Sequence, residues 1–149
     1  MVQKCLLVLT ACILGVFGIS SNENPLGFKI ATFEECQAEG NVPELAMKEL
    51  FYFKSAEGIK HHKCVMKCIN EKYGIYQNNG TFNFENAVEA IKELFHDPVV
   101  QNTLINAGKE CVKTVKENSD ACDYAYDLVD CFIKETNKEG VAPHGEMPL

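Results

Sequence analysis

An all-α fold is the prediction for this 149-residue chain, and three features carry it. Helix start and stop signals recur along its length, apolar residues return at helical spacing, and no alternating run of strand length stands out. Six helical segments follow in order. Phe28 to Glu39 is the first, stopped by Gly40. Pro43 suits the first turn of a second, which carries Ala46, Leu50 and Phe53 toward a core. After Gly58, Ile59 to Tyr73 reads as a third, closed by Gly74, and Asn78-Asn79-Gly80-Thr81 is a turn. Asn83 then caps a fourth helix running through Phe95, with Phe84, Val88, Ile91 and Phe95 on one stripe. Asp97-Pro98 is a cap and first-turn pair for a fifth, reaching about Val115. Ser119 or Asp120 caps the last helix, which runs to about Glu135 and leaves a tail from about residue 136.

The first twenty residues form a separate segment. Lys4 is their only charge, Cys5 to Ile19 is almost wholly apolar, and Gly18-Ile19-Ser20 places small residues at both cleavage-facing positions. Met1 to Ser20 therefore reads as a secretory signal peptide cut after Ser20, and the product as a secreted, extracellular protein. A membrane anchor needs ~20 apolar residues, and this run stops at Ser21-Asn22-Glu23-Asn24, so no stable membrane insertion is expected. Residues 21–149 are of single-domain size. Their formal charge is about −8, since Lys4 alone among 14 basic residues leaves with the leader and all 21 acidic ones stay. Every basic residue is lysine. Nucleic acid and anionic membranes are poor partners for such a chain, and bidentate guanidinium recognition has no residue to make it.

Six cysteines remain downstream of the leader: Cys36, Cys64, Cys68, Cys111, Cys122 and Cys131, with 27, 3, 42, 10 and 8 residues between them. An even set of thiols behind an export signal is a disulfide framework. Helix geometry limits how they join. At ~100° and ~1.5 Å per residue, Cys122 and Cys131 lie about 180° apart and roughly 13.5 Å along the last helix. A disulfide holds its Cα atoms within about 7 Å, so these two cannot pair with each other. Cys64 and Cys68 lie one turn apart on the same face, where joining them would distort the turn, so they reach different partners. These exclusions trim the possible pairings without choosing one.

The pattern Cys-x27-Cys-x3-Cys-x42-Cys-x10-Cys-x8-Cys on an exported helical chain resembles the insect odorant-binding proteins, the pheromone and general odorant-binding family of ordinary six-cysteine type. The resemblance spans essentially all of residues 21–149. Its most diagnostic parts are Cys64-Val65-Met66-Lys67-Cys68 and the gap from Cys122 to Cys131; Asp123-Tyr124-Ala125-Tyr126 and Cys131-Phe132 are also similar to the family's last helix. It implies a compact bundle of about six helices around an apolar cavity, stapled by three interlocked disulfides: Cys36–Cys68, Cys64–Cys122 and Cys111–Cys131. Such bonds have a physical purpose. Ligand pockets run ~300–1,000 Å³, and an empty apolar cavity costs about 24 cal/mol per Å³, so even the smaller costs about 7 kcal/mol. That rivals a domain's whole stability of ~5–15 kcal/mol, and three disulfides at ~2–4 kcal/mol each offset it.

With that fold in view, the ligand contacts are sought among large apolar side chains: Phe51, Phe53, Tyr76, Phe82, Phe84, Phe95, Tyr124, Leu128 and Phe132, with Met47, Met66, Ile91 and Leu104. Tyr76 and Tyr124 offer hydroxyls to an alcohol, aldehyde or ester oxygen. Asn79-Gly80-Thr81 is an N-glycosylation sequon at Asn79. Acid-triggered ligand release is a further expectation, motivated by His61 and His62 beside Cys64, with His96 and His144. The residues of the tail from Gly140 to Leu149 include Val141, Met147 and Leu149, which could close over a cavity mouth.

Other chemistries lack their residues. His61, Cys64 and Cys68 share a face, but zinc needs free thiolates, which export oxidises. His96-Asp97 merely precedes Pro98 and has no glycine-rich calcium loop beside it. Asp120, Asp123, Asp127 and Asp130 lack the central glycine and terminal glutamate of a calcium loop. No serine nucleophile motif is present. The expectation is a non-enzymatic carrier with no cofactor or metal. Its partners would be a small hydrophobic odorant or pheromone, and a membrane receptor or homodimer in sensory lymph. One alternative is a non-olfactory carrier of lipids, hormones or amines in saliva, haemolymph or reproductive fluid. A saposin-like lipid-perturbing protein is disfavoured by cysteine spacing and negative charge.

Overall fold

The computed structural model describes residues 25–77 and 80–140. Six α-helices cover most of that span: α1 (Pro25–Gly40), α2 (Glu44–Phe51), α3 (Cys64–Lys72), α4 (Phe84–Leu94), α5 (Pro98–Thr114) and α6 (Ala121–Lys138). One 3-10 turn, Glu57–Ile59, lies between α2 and α3. The class is all-α, as the punctuation predicts; the antiparallel pairing of Tyr76 with Phe82 is an isolated bridge across the turn at Gly80. The leader, Asn79 and the tail from Val141 onward fall outside the described residues.

Local side-chain chemistry sets the starts of the last three helices. Asn83 accepts from the Asn86 N–H at 3.2 Å, Asp97 from Val99 at 2.8 Å, and Asp120 from Cys122 and Asp123 at 2.8 and 3.0 Å. Each cap satisfies N–H groups that the helix cannot satisfy internally. Asp120, and not Ser119, is the cap of α6.

Several boundaries differ from the sequence reading: α1 begins at Pro25 rather than Phe28, Pro43 precedes α2 as its N-cap, and three further differences have visible causes. The predicted third helix begins at Ile59, but the chain breaks between the 3-10 turn and Cys64. Ile59 is fully buried, the His62 N–H bonds back to the Ile59 carbonyl at 2.8 Å, and His62 Nδ1 lies 3.1 Å from the Gly40 carbonyl oxygen of α1. Gly58 lets this turn press on α2: a Cβ there would stand 2.7 Å from the Ala46 Cβ. A straight helix from Ile59 would forfeit those contacts. Phe53 is not on α2; it follows the helix with φ 52. Finally, α6 continues past Glu135 to Lys138, because Thr136 is fully buried and bonds the Phe132 carbonyl at 2.7 Å. Gly140, at φ 67, supplies the left-handed stop.

Packing centres on α6, whose most extensive contacts are with α3 and then α5; α3 also packs on α1. Disulfides follow the same contacts. Cys36–Cys68 joins α1 to α3, Cys64–Cys122 joins α3 to α6, and Cys111–Cys131 joins α5 to α6, with Cα separations of 5.8, 4.5 and 5.7 Å. Four helices thus form one covalent series, α1–α3–α6–α5, while α2 and α4 stand outside it. Ion pairs flank two of the bonds: Lys72 Nζ to Glu35 at 2.6 Å and Lys63 Nζ to Asp123 at 2.8 Å. Partly exposed pairs contribute only about 0–1 kcal/mol, so they fix register more than stability. Leu50, Ile59, Val65, Ile69, Ala125 and Ile133 fill the centre beside Cys36 and Cys111.

The loops closed by the bonds differ, with sequence separations of 58 for Cys64–Cys122, 32 for Cys36–Cys68 and 20 for Cys111–Cys131. Replacing each pair by alanines is expected to cost about 3–4 kcal/mol, in that descending order. Guanidinium unfolding midpoints of the three double variants check the ranking.

Candidate functional site

Between these helices lies a cavity of about 210 Å³. Phe33 of α1 and Phe51 of α2 line it, with Phe53 just beyond α2. From α3 and its exit come Met66, Ile69, Asn70, Tyr73 and Ile75, and Phe82 follows the turn. The wall from α4 is Phe84, Ala87, Ala90, Ile91 and Leu94, with Phe95 after it. Gly108, Cys111 and Val112 of α5 and Ala125, Leu128, Val129 and Phe132 of α6 complete it. No carboxylate, ammonium or imidazole is among them, and only Asn70 and Tyr73 carry a polar side-chain group. The volume is smaller than the range assumed from sequence, and at about 24 cal/mol per Å³ it costs about 5 kcal/mol if empty.

Two backbone features shape the space. Phe53 adopts the left-handed region, which costs a bulky residue about 1–2 kcal/mol. In that position its ring meets Phe132 edge-on at 5.4 Å and Phe95 at 6.2 Å. Gly108 on α5 has no side chain, and a Cβ there would sit 3.0 Å from the Phe84 ring and 4.0 Å from that of Phe132. Phe33 and Phe51 meet edge-on at 5.2 Å and also line a second depression of about 450 Å³ between α1 and α2, beside Glu34, Gln37, Glu44, Met47 and Lys48. The two rings therefore partition the cavity from that groove. A shallow depression of about 710 Å³ along α6 has Asp127, Asp130, Lys134 and Glu135 among its lining residues, with Val115 and Cys131.

Of the residues sought from sequence, the structure brings Phe51, Phe53, Met66, Phe82, Phe84, Ile91, Phe95, Leu128 and Phe132 to the cavity. Tyr76, Tyr124 and Leu104 are buried elsewhere, and Met47 faces the α1–α2 groove. Phe82, which lines the cavity, has its ring 5.7 Å from that of Tyr76 and 6.3 Å from that of Tyr124, neither of which lines it. Leu104 precedes Gly108 by one turn and is fully buried outside the wall. The polar positions missed were Asn70 and Tyr73. They follow Met66 at helical spacing, which was the available signal. Ala87, Ala90 and Leu94 share the α4 face of Ile91 in the same way.

Most of the residues weighed for other chemistry have structural partners. Cys64 and Cys68 are both in disulfides. His61 and His96 are exposed, and His62 turns to the Gly40 carbonyl. Asp120 caps α6, Asp123 holds Lys63 and Asp130 holds Lys134 at 2.6 Å. Among the described residues, no group of three or more His, Cys, Asp or Glu side chains is placed to hold a metal ion, and no helix is long and apolar enough to cross a membrane.

Comparison with known proteins agrees with this architecture. The model of the PBP/GOBP family matches residues 30–135. The chain belongs to the PBP/GOBP family. Relatives in that family include general odorant-binding protein 1 of Bombyx mori, 27% identical over 127 residues that cover 83% of this chain and 77% of that protein. General odorant-binding protein 57c of Drosophila melanogaster is 27% identical over 129 residues, covering 83% and 82%. Pheromone binding protein 3 of Epiphyas postvittana, a crystal structure, superimposes with a TM-score of 0.59 at 26% identity, covering 73% of this chain and 96% of its own. A PBP/GOBP chain is a small-ligand carrier by family, and the family is one of carriers rather than enzymes.

Two expected outcomes follow, one from the cavity wall and one from the buried tyrosines. Gly108→Leu directs a side chain into the space; affinity for any cavity ligand should fall about tenfold or more, with at most about 1–3 kcal/mol lost from stability, as titration calorimetry and unfolding would read. Burial pushes the Tyr73 phenol up to about 12 and that of Tyr76 further, with Tyr124 and Glu117 adding to the latter. Both values lie above the ordinary 10, so these neutral phenols favour the fold below pH 10, and the contribution is lost as pH climbs toward 12 and beyond. Unfolding midpoints at stepped alkaline pH should fall over that window, less steeply for Tyr73→Phe.

Proposed function

We propose that this chain is an extracellular carrier that takes up small, neutral, hydrophobic molecules in its cavity and releases them reversibly at membrane receptors in sensory fluid. The observation that carries the reading is the uncharged aromatic cavity enclosed by a disulfide-linked helical frame. Burying apolar ligand area stabilises a complex by ~25 cal/mol per Å² with little demand on exact shape, so the site suits a class of molecules. The names of the relatives, general odorant-binding and pheromone binding proteins, point to volatile signals as that class.

Export supports the same reading. Met1 to Ser20 carries the charge and hydropathy pattern of a secretory leader, and three disulfides persist in an oxidising space. Delivery requires no catalytic group. Affinity on the order of micromolar keeps release fast enough for transfer.

Headspace partitioning tests the reading. Added to buffer equilibrated with n-propylbenzene, the oxidised protein should withdraw the hydrocarbon from the vapour with a Kd on the order of micromolar, and reduction of its disulfides should abolish uptake. Vapour concentrations indifferent to the oxidised protein would remove the carrier assignment.

A further inference from the structure

Helices α1 and α2 are joined by Asn41-Val42-Pro43 alone, yet they touch each other far less than α3 touches α6. The connection turns sharply: Asn41 has φ 48, its N–H bonds the Ala38 carbonyl at 3.2 Å, and the Val42 N–H bonds the Gln37 carbonyl at 3.0 Å. Beyond this turn lies the groove of about 450 Å³ already described. Met47 and Phe51 are buried and Phe33 is half-buried, so its floor is apolar. Glu34, Glu44 and Lys48 are exposed and form its rim.

The polar groups of the groove have mostly spent their donors. Gln37 Nε2 donates to the Val42 carbonyl at 3.2 Å, which leaves the carboxamide oxygen as an acceptor. Lys48 Nζ lies 2.7 Å from the Glu44 carboxylate, one helical turn away on the same rim. Among the described residues, Glu34 makes no ion pair or hydrogen bond through its side chain. Lys48 therefore offsets one carboxylate, and the negative charge of Glu34 is uncompensated. The hydrogen bond and charge of Lys48 also hold the Glu44 carboxyl below its usual range.

We propose that the groove between α1 and α2 is a second ligand site, separate from the central cavity, for small arylalkyl amines in their ammonium form. An ammonium group donates only, which suits a rim whose unspent groups are acceptors. One positive charge matches the one unmatched carboxylate. The aryl part lies against Phe33, Met47 and Phe51, whose rings also attract a cation placed over their faces. The central cavity has no charged side chain to receive such a ligand, and an unpaired ammonium is costly to bury there. The two sites thus sort ligands by charge, divided by the edge-on pair Phe33 and Phe51 with centroids 5.2 Å apart.

Two isosteres separate the sites: 2-phenylethylammonium, and n-propylbenzene, in which a methyl replaces the ammonium. Calorimetric titrations would use the oxidised wild-type protein, Glu34→Gln and Glu34→Lys. Amine affinity should fall about two- to fivefold in the first variant and about tenfold in the second. Hydrocarbon affinity should stay within about twofold in both, and unfolding midpoints report that each is folded. Saturating n-propylbenzene should leave the amine Kd of the wild type within about twofold. Amine that is displaced by the hydrocarbon, or is indifferent to Glu34→Lys, would overturn the second site, as would wild-type protein that takes up no amine. Self-association of the wild type that Glu34→Lys breaks, without amine binding, would assign the groove to a second copy of the chain and overturn it too. Failure to hold n-propylbenzene removes the carrier reading alone, since the Glu34 variants still decide the groove.

Discussion

The arrangement depends on one helix being fastened from two sides. Cys122 and Cys131 leave α6 in opposite directions, one to α3 and the other to α5, and α3 passes the constraint on to α1. Helices linked in this way are held at fixed separations where the bonds join them. An empty apolar cavity of this size works against folding by about 5 kcal/mol, a large share of a domain's stability. The cross-links act chiefly on the unfolded chain, by reducing its freedom. The void and the bonds are therefore two parts of one energetic balance. Neither makes sense for a chain of this size without the other.

What the frame encloses is shaped by omission as much as by bulk. Gly108 and the two alanines of α4 leave room where larger residues would fill it. Phe53 holds a strained backbone conformation that turns its ring toward Phe95 and Phe132. Strain of that kind persists when surrounding contacts over-determine it, and it concentrates at functional positions. The wall carries no group able to accept a proton near neutrality or to attack a bond. Membership of the PBP/GOBP family accords with a site that holds molecules without altering them.

Much of this could be read from the chain because the relevant chemistry is local. Asn83, Asp97 and Asp120 mark helix starts through bonds to residues two or three positions on, and the opposed faces of Cys122 and Cys131 follow from helix pitch. The break before Cys64 could not be read in the same way. Ile59 falls close to Met66 on a continuous helical wheel, and the turn is favoured by contacts distant in sequence, the Gly40 carbonyl and the flank of Ala46 among them. The same limit governed the site. Tyr76 and Tyr124 have the right side chains but are buried away from the cavity; Leu104 lies 40° from Gly108 by pitch, roughly one turn away, yet only Gly108 reaches the wall. Small residues carry almost no hydrophobic signal, so Ala87 and Ala90 escaped notice although their size is what the cavity uses.

Helix α4 contains no fully buried residue, although its face from Phe84 to Leu94 supplies a broad section of the wall. It also lies outside the covalent series and leans mainly on α5. A segment with so few buried contacts opens at a small fraction of the free energy of global unfolding. Of the elements that wall the cavity, α4 is then the one that costs least to displace, and in the carrier reading the way in for a ligand lies on its side.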